Sequence, residues 1–197
     1  MKRIFLSALF SFLIAINASS MTLRLHTPIS PSGNDCLINN IEYLCESKSS
    51  GFAIRAIGHT KVSFFGMGYA SSELDLGYPS TLYVTKAKFR SDAVDVSASI
   101  FDGLLTAGIG IVISGKMDVG ITFQSRNIEI TGGKHTGTTS FLNLAIDVGP
   151  VEVIGGYRMW DTETSGADYV QSSQSSEDTN KWKNKYNELT VGVGIKF

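Results

Sequence analysis

The sequence predicts an all-β protein, a closed antiparallel transmembrane β-barrel, and three observations support that prediction. Apolar and polar residues alternate along most of the chain, as they do in strands with one apolar and one polar face. The chain starts with the pattern of an export signal. It ends on a strand whose apolar face runs to an aromatic residue, Phe197. A soluble β-sandwich would alternate in the same way, so the two ends of the chain decide between these folds.

The first 20 residues have the pattern of a secretory signal peptide. Met1 to Arg3 form a short basic segment, and a mostly apolar run over residues 4–16 follows it. The small residues 18–20 suit cleavage after Ala18 or Ser20. A retained anchor is the alternative, but the run is shorter than the roughly 20 residues of a spanning helix. We therefore predict a signal peptide over residues 1–20 and a single barrel domain over residues 21–197.

The C-terminal segment from Tyr186 places apolar side chains on one face of a strand, namely those of Leu189, Val191, Val193, Ile195 and Phe197. This tail resembles the closing strand of small bacterial outer-membrane β-barrel proteins of the OmpA-like and OmpX-like kind. The resemblance is to the class and to no single member. It implies localisation in the bacterial outer membrane and contact with outer-membrane lipid. It also implies that the barrel-assembly machinery recognises these five residues. The lysines at 181, 183 and 185 beside Trp182 and Tyr186 suit an anionic lipopolysaccharide surface.

The predicted barrel has eight or ten strands, depending on two segments. Residues 22–29 form either a first strand or part of an N-terminal segment outside the barrel count. Residues 51–69 form either one strand or two that meet near Gly58. We prefer ten, because a turn near Gly58 gives strands of about 9 to 11 residues, the usual transmembrane length. Short turns are then predicted at 90–93, 114–116 and 149–150, and long outer segments at 30–50, 71–80, 131–139 and 162–185.

The face opposite the apolar one is predicted to line a shared interior with charges of both signs. Isolated buried charges are costly, so we expect them to form a paired network that closes the barrel, or else to line a channel. The predicted lumen-facing charged residues are Arg55, Lys86, Lys88, Arg90, Asp95, Asp118, Arg126, Asp147, Glu152, Arg158, Glu188 and Lys196.

Two polar segments contain the remaining notable residues. Cys36 and Cys45 are the only cysteines, and an exported chain favours a disulfide between them. Free thiols are the alternative, since a metal site needs more ligands than two thiols. Lysines at 181, 183 and 185 alternate with Trp182 and precede Tyr186. This pattern predicts an anchor at the membrane interface. A net charge of -1 gives no electrostatic argument for nucleic-acid binding, and we expect none.

Catalytic motifs are nearly absent. Of the 3 histidines only His135 falls in a predicted outer segment, and its spacing fits no hydrolase motif, so we predict a solvated loop residue. We expect no cofactor and no enzymatic activity. The sequence favours a structural or surface-interaction role through the outer segments, with the extracellular ligand left open. A narrow channel for ions or small solutes is the alternative, and a lipid-modifying enzyme is less favoured.

Overall fold

The structure is a computed structural model that describes residues 20–31, 35–38, 41–44, 46–59, 64–79, 83–101, 103–123, 126–171 and 174–197. The strands in these ranges are β1 Ser20–Pro31, β2 Asp35–Ile38, β3 Ile41–Leu44, β4 Glu46–His59, β5 Phe64–Pro79, β6 Tyr83–Ile100, β7 Leu105–Phe123, β8 Arg126–Gly132, β9 Lys134–Val148, β10 Val151–Gln171 and β11 Gln174–Lys196. No helix in these ranges is long and apolar enough to cross a membrane. The signal peptide before Ser20 lies outside the described residues, as does Cys45, so both the leader and the disulfide stay predictions.

The main sheet is antiparallel and closes on itself. β1 pairs with β11, from Thr22 opposite Lys196 to Pro31 opposite Glu188, and with β4 on its other side. β8 and β9 occupy a single position in the ring, because β7 pairs with β8 through its second half and with β9 through its first half. The ring therefore contains 8 strands in the order β1, β4, β5, β6, β7, β8 with β9, β10 and β11. β2 and β3 form a separate hairpin, and β2 lies beside β11.

The closed antiparallel barrel is confirmed, with the lower of the two predicted strand counts. The two splits near the start of the chain are correct, since β1 is a strand and β4 and β5 are separate strands. The preference for ten is wrong because residues 90–93 lie within β6 and residues 114–116 lie within β7. Residues 149–150 do form a turn, between β9 and β10. The predicted outer segments at 71–80, 131–139 and 162–185 lie largely within strands.

A β-bulge explains why β7 has the sequence pattern of two strands. The pairing of β6 with β7 shifts between Asp92 and Ala93, where β7 carries one extra residue. Ile111 therefore points out of the barrel, whereas Met117, at the same parity, is buried inside it. A bulge changes which of the alternating residues face inward, although the strand keeps its direction. The Ser114-Gly115 pair beside it has the composition of a turn but lies in the strand.

The outer surface of the barrel changes character along its axis. Nearest the chain termini, exposed apolar side chains form a belt around the ring, which we call the apolar belt. Aromatic residues mark its edges, with Phe65, Phe101 and Phe197 at the terminal end and a Phe52–Tyr69 contact, with centroids 5.9 Å apart, at the other. Representative members of the belt are Leu25, Val96, Ile109, Ile111, Leu144, Ile146, Val153, Met159, Val191 and Val193.

Beyond the belt the strands continue, but the sidedness inverts: apolar side chains now point into the barrel and charged side chains point outward. We call this part the extension; it comprises residues 46–51, 71–79, 83–92, 114–123, 126–139, 161–171 and 174–187. Its outer face carries charged residues, and its interior is an apolar core that includes Leu74, Phe89, Met117, Val119 and Ile130. A strand surrounded by lipid must turn its apolar side chains outward, whereas one surrounded by water must turn them inward. The inversion therefore locates the end of the membrane-spanning part.

Candidate functional site

The structure places the predicted lumen-facing charges in three different environments. Arg55, Asp95, Glu152, Arg158 and Glu188 are buried inside the barrel. Asp147 and Lys196 form an ion pair of 2.6 Å at the rim near the termini, where Lys196 Nζ also lies 3.5 Å from Glu152 Oε1.

Four further predicted charges do not line the lumen. Lys86, Lys88 and Arg90 are exposed on the outer face of the extension, and Asp118 lies on the same face. The prediction was wrong for these four, because it assumed one sidedness along the whole strand, whereas the extension turns its charged face outward. The side chain of Arg126 is outside the part that the structure describes.

Three charged residues form the centre of the interior at the level of the belt. Arg55 donates to Asp95 from Nε at 3.1 Å and from Nη2 at 3.0 Å, and Arg158 Nη2 donates to Asp95 Oδ2 at 3.0 Å. The ring of Phe141 lies against both cations, with the Arg55 Cζ atom 3.6 Å and the Arg158 Cζ atom 4.8 Å from its centroid. These side chains meet from β4, β6, β9 and β10. They fill the lumen at this level.

A second buried ion pair lies nearer the termini and involves Arg24, which the prediction omitted. Arg24 donates from Nε to Glu152 Oε2 at 2.6 Å, from Nη1 to Thr106 Oγ1 at 2.7 Å and from Nη2 to the Gly103 carbonyl at 2.8 Å. The parity of β1 could have identified it, since Arg24 lies on the strand face opposite Leu23 and Leu25. Each of the three guanidinium nitrogens thus donates a hydrogen bond, which offsets the cost of burying the charge.

Glu188 lies at the upper end of the interior and is held by neutral donors. Its carboxylate accepts hydrogen bonds from the hydroxyls of Ser49 and Ser72 and from Trp160 Nε1, the last at 2.9 Å. Tyr186 donates to Ser72 Oγ at 3.0 Å and stacks on Trp160 with a centroid distance of 6.0 Å. Glu188 thus closes the boundary between the polar interior and the apolar core of the extension.

The buried charges of the described interior balance. Arg24, Arg55 and Arg158 face Asp95, Glu152 and Glu188, and all six are at most 4% exposed. A water-filled channel would leave such groups in contact with solvent. Side chains of an eight-stranded barrel are just large enough to fill it. The network therefore plugs the lumen.

A small cavity lies in this packing, between His26, Arg158, Trp160 and Glu188. Its volume is about 10 Å³, which is near the minimum for a single water molecule. Within the described residues, neither ring nitrogen of His26 has a hydrogen-bond partner. A water molecule bound here would supply a partner for one of them.

The outer face of the extension is covered by ion pairs between neighbouring strands. Lys88 contacts Glu73 at 2.6 Å, Lys181 contacts Glu163 at 3.2 Å and Lys185 contacts Asp161 at 2.8 Å. A hydrogen bond to Glu73 raises the pKa of Lys88. Exposed pairs of this kind add little stability, but they keep an outer sheet surface soluble.

A further pair on this face joins Asp118 to Lys116, at 2.9 Å. Burial alone would raise the pKa of Asp118, but hydrogen bonds from Thr131 and Lys116 outweigh burial and lower it.

The lysine and aromatic residues of β11 separate onto two faces. Lys181, Lys183 and Lys185 are exposed, as an interfacial anchor requires, but Trp182 and Tyr186 are buried in the core of the extension. The prediction that these two aromatics form part of the membrane girdle was wrong. They alternate with the lysines, and a strand sends alternate side chains to opposite faces.

His135 is a buried residue and not a solvated loop residue. Its Nε2 atom lies 2.9 Å from Ser91 Oγ and its Nδ1 atom lies 2.8 Å from Thr164 Oγ1. Burial lowers the pKa of His135, although Asp92 acts in the opposite direction. A serine beside a histidine is the start of a hydrolase constellation, which further needs an orienting acid and access for substrate. Here Thr164 occupies the position of the acid and Ser91 is fully buried, so we assign the contact to packing.

The closed ring, its apolar belt and its plugged lumen define a small outer-membrane-type β-barrel. No protein family matches the sequence, and no curated protein does. Solved structures do match by fold. A major outer membrane protein from Thermus thermophilus superposes with a TM-score of 0.57 at 10% identity, covering 90% of this chain and 99% of that one. The outer membrane protease OmpT from Escherichia coli gives 0.50 at 8% identity, covering 91% and 94%. Ail, the attachment invasion locus protein of Yersinia pestis, gives 0.49 at 12% identity, covering 90% and 97%.

The similarities to the Thermus thermophilus protein and to OmpT establish the fold class predicted from the sequence, that of small bacterial outer-membrane β-barrel proteins. With the apolar belt, they assign the chain to the bacterial outer membrane. In such barrels short turns and both termini face the periplasm, and we adopt the same orientation for this chain in the proposals below, with the extension outside the cell. At these identities the activities of the similar proteins do not transfer to this chain. Leu189, Val191, Val193, Ile195 and Phe197 are exposed in the belt, and their role in barrel assembly stays a prediction.

Proposed function

We propose that this protein is a non-conducting outer-membrane barrel that holds a rigid sheet above the membrane as a surface for binding partners. The observation that carries the proposal is the inverted sidedness of the extension. Its buried side chains include Leu74, Phe89, Met117 and Trp182, so the extension has a core of its own. A packed sheet keeps one shape, and a preformed surface loses less entropy on binding than flexible loops do.

The edges of the extension support the same proposal. Within the described residues, the pairing of β1 with β11 ends at Glu188 and its pairing with β4 ends at Ala53. Each of these two strands continues outward, β11 pairing there with β10 and β4 with β5. A strand paired on one side offers its other backbone edge to a partner strand. The β2–β3 hairpin lies next to the β11 edge, where it is placed to control access.

Truncation of the hairpin tips tests the interaction role. Ser165 faces Lys181 and Gly120 faces Glu129, so an Asn-Gly turn can replace residues 166–180 or residues 121–128 while the lower pairs stay in register. Cells that display the full-length chain are expected to bind epithelial cells, matrix proteins or serum factors, and cells that display the truncated chains to lose that binding. Heat-modifiable gel mobility checks that each barrel is folded. Equal binding, or no binding by the full-length chain, contradicts the proposal.

The narrow channel, which the sequence left as the alternative, is tested by conductance. The refolded chain in a planar bilayer is expected to show no discrete current steps, because Arg55, Asp95 and Arg158 fill the lumen. Reproducible steps from protein shown to be folded would contradict a plugged lumen.

A further inference from the structure

A groove on the outer face of the barrel crosses from the apolar belt into the extension. Its volume is about 810 Å³, within the range of about 300 to 1,000 Å³ typical of ligand sites. The outward-facing residues that line it come from β5, β6, β7, β9, β10 and β11. Residues that alternate with them and face inward, among them Asp95 and Trp160, also border the groove.

The groove follows two rows of neighbouring residues in the sheet. In the first row Val94 pairs with Ile111, Ile111 with Thr138, Thr138 with Asp161, and Asp161 with Lys185. Strands of a barrel are tilted, so a row of paired residues climbs as it passes around the ring. The row therefore starts among apolar side chains and ends among charged ones.

The second row repeats this gradient just below. Val96 pairs with Ile109, Ile109 with Ser140, Ser140 with Met159, and Met159 with Asn187. Val96, Ile109 and Met159 are exposed apolar residues of the belt, so this floor faces hydrocarbon. An apolar groove at this depth is covered by acyl chains, since water is absent there.

The side chains at the upper rim of the groove can bind a phosphorylated sugar. Lys185 supplies a cation, and Asp161, Thr138, Ser140 and Asn187 supply donors and acceptors for hydroxyl and amide groups. The contact of 2.8 Å between Lys185 and Asp161 joins two side chains that are each more than half exposed, so the pair is weak and Asp161 can turn into solvent when a phosphate binds Lys185. Lys183 lies two residues further out on the same face and adds a second cation.

We propose that this groove binds one lipid A unit of lipopolysaccharide, with an acyl chain on Val96, Ile109 and Met159 and a glucosamine phosphate at Lys185. The choice of lipid A over a phospholipid rests on position and on the rim. The groove lies at the end of the belt away from the termini, which is the outer leaflet, where lipopolysaccharide is the main lipid. A rim of hydroxyl, amide and carboxylate groups matches a sugar better than a glycerol phosphate.

The test measures binding of lipid A to the refolded chain in mixed micelles, by native mass spectrometry. The variants are Lys185→Gln at the rim and Met159→Trp, which fills the floor. Their matched controls are Lys88→Gln, a lysine elsewhere on the extension, and Val193→Trp, an exposed belt residue outside the groove. Heat-modifiable mobility confirms that each variant is a closed barrel.

The proposal expects one lipid A per barrel, with binding weakened about fivefold by Lys185→Gln. Met159→Trp should weaken it at least as much, and the controls should bind as the wild type does. Lipid A without phosphate should lose the dependence on Lys185. Equal effects of the test and control variants, or equal affinity for phosphatidylglycerol, would overturn the assignment. So would a dimer of this chain that Met159→Trp disrupts, since a second copy would then occupy the groove.

Discussion

Asp95 holds the centre of the interior together, because its one carboxylate forms ion pairs with both Arg55 and Arg158. We expect Asp95→Ala to lower the free energy of unfolding by about 3 to 5 kcal/mol, since it leaves two guanidinium groups buried without a counter-charge. Urea unfolding in lipid vesicles measures this change. Lys88→Gln, which removes an exposed ion pair, is the control and should have no measurable effect. A loss for Asp95→Ala as small as that of the control would show that water reaches the lumen.

We expect the stability of the barrel to depend on pH through His135. Burial lowers its pKa in the folded chain, so the unfolded chain binds the additional proton. The stability that the neutral imidazole contributes is complete above the ordinary histidine pKa of about 6.5 and is lost as the pH falls below it.

Unfolding midpoints at pH 7.5 and pH 5 measure this effect. His135→Gln keeps groups that hydrogen-bond to Ser91 and Thr164 but cannot titrate, and it should reduce the loss between the two pH values. The difference between wild type and variant separates the effect of His135 from that of His26, which is also buried. An identical loss in both proteins would contradict this role for His135.

Two glycines of β7 provide a matched pair at the scale of the element. A Cβ atom at Gly108 would lie 2.3 Å from Phe141 Cζ and 2.5 Å from the Val96 carbonyl oxygen, whereas one at Gly120 would meet nothing within 4 Å. We expect Gly108→Ala to cost about 1 to 3 kcal/mol, because it displaces Phe141 from the guanidinium groups. Gly120→Ala should be close to neutral. Folding yields and urea midpoints measure both, and equal effects would contradict the interior packing.

Period-two alternation predicted most strands correctly, and its failures on β6 and β7 have two physical causes. On β6 the apolar residues occupy even-numbered positions over 94–100 but odd-numbered positions over 87–89, because the strand leaves the membrane between them. On β7 the bulge moves the inward face while the apolar parity stays the same. A pattern of apolar residues reports which face avoids water or meets lipid. It does not show whether that face meets lipid or a protein core. A strand that passes from lipid into water therefore looks, in sequence, like two strands joined by a turn.

The interior network could be predicted only in part, because the sequence gives its members but not their contacts. Arg55, Asp95, Glu152, Arg158 and Glu188 lie on the polar parity of strands within the belt, where that parity faces inward. Which acid contacts which base depends on the register around the ring, and a single sequence does not contain it. Asp95, for example, contacts Arg158 across 63 positions of the chain.

At the scale of the whole molecule, the structure is a barrel in two parts with opposite sidedness. The belt part has a charge-balanced polar interior and an apolar outside, and the extension has an apolar interior and a charged outside. The first part fixes the chain in lipid and closes the lumen. The second part holds a sheet of fixed shape outside the membrane, and the proposed interaction role depends on that shape.

The most direct test of this account is a spin-label accessibility scan of outward-facing positions in lipid vesicles. Single cysteines at Val96, Ile109 and Val193 in the belt and at Lys88, Glu163 and Lys183 in the extension are placed in a chain with Cys36 and Cys45 replaced by Ser. Belt positions should be relaxed by oxygen, which concentrates in lipid, and extension positions by a water-soluble nickel reagent. A label at Lys88 or Glu163 that responds to oxygen and not to nickel would contradict the two-part barrel.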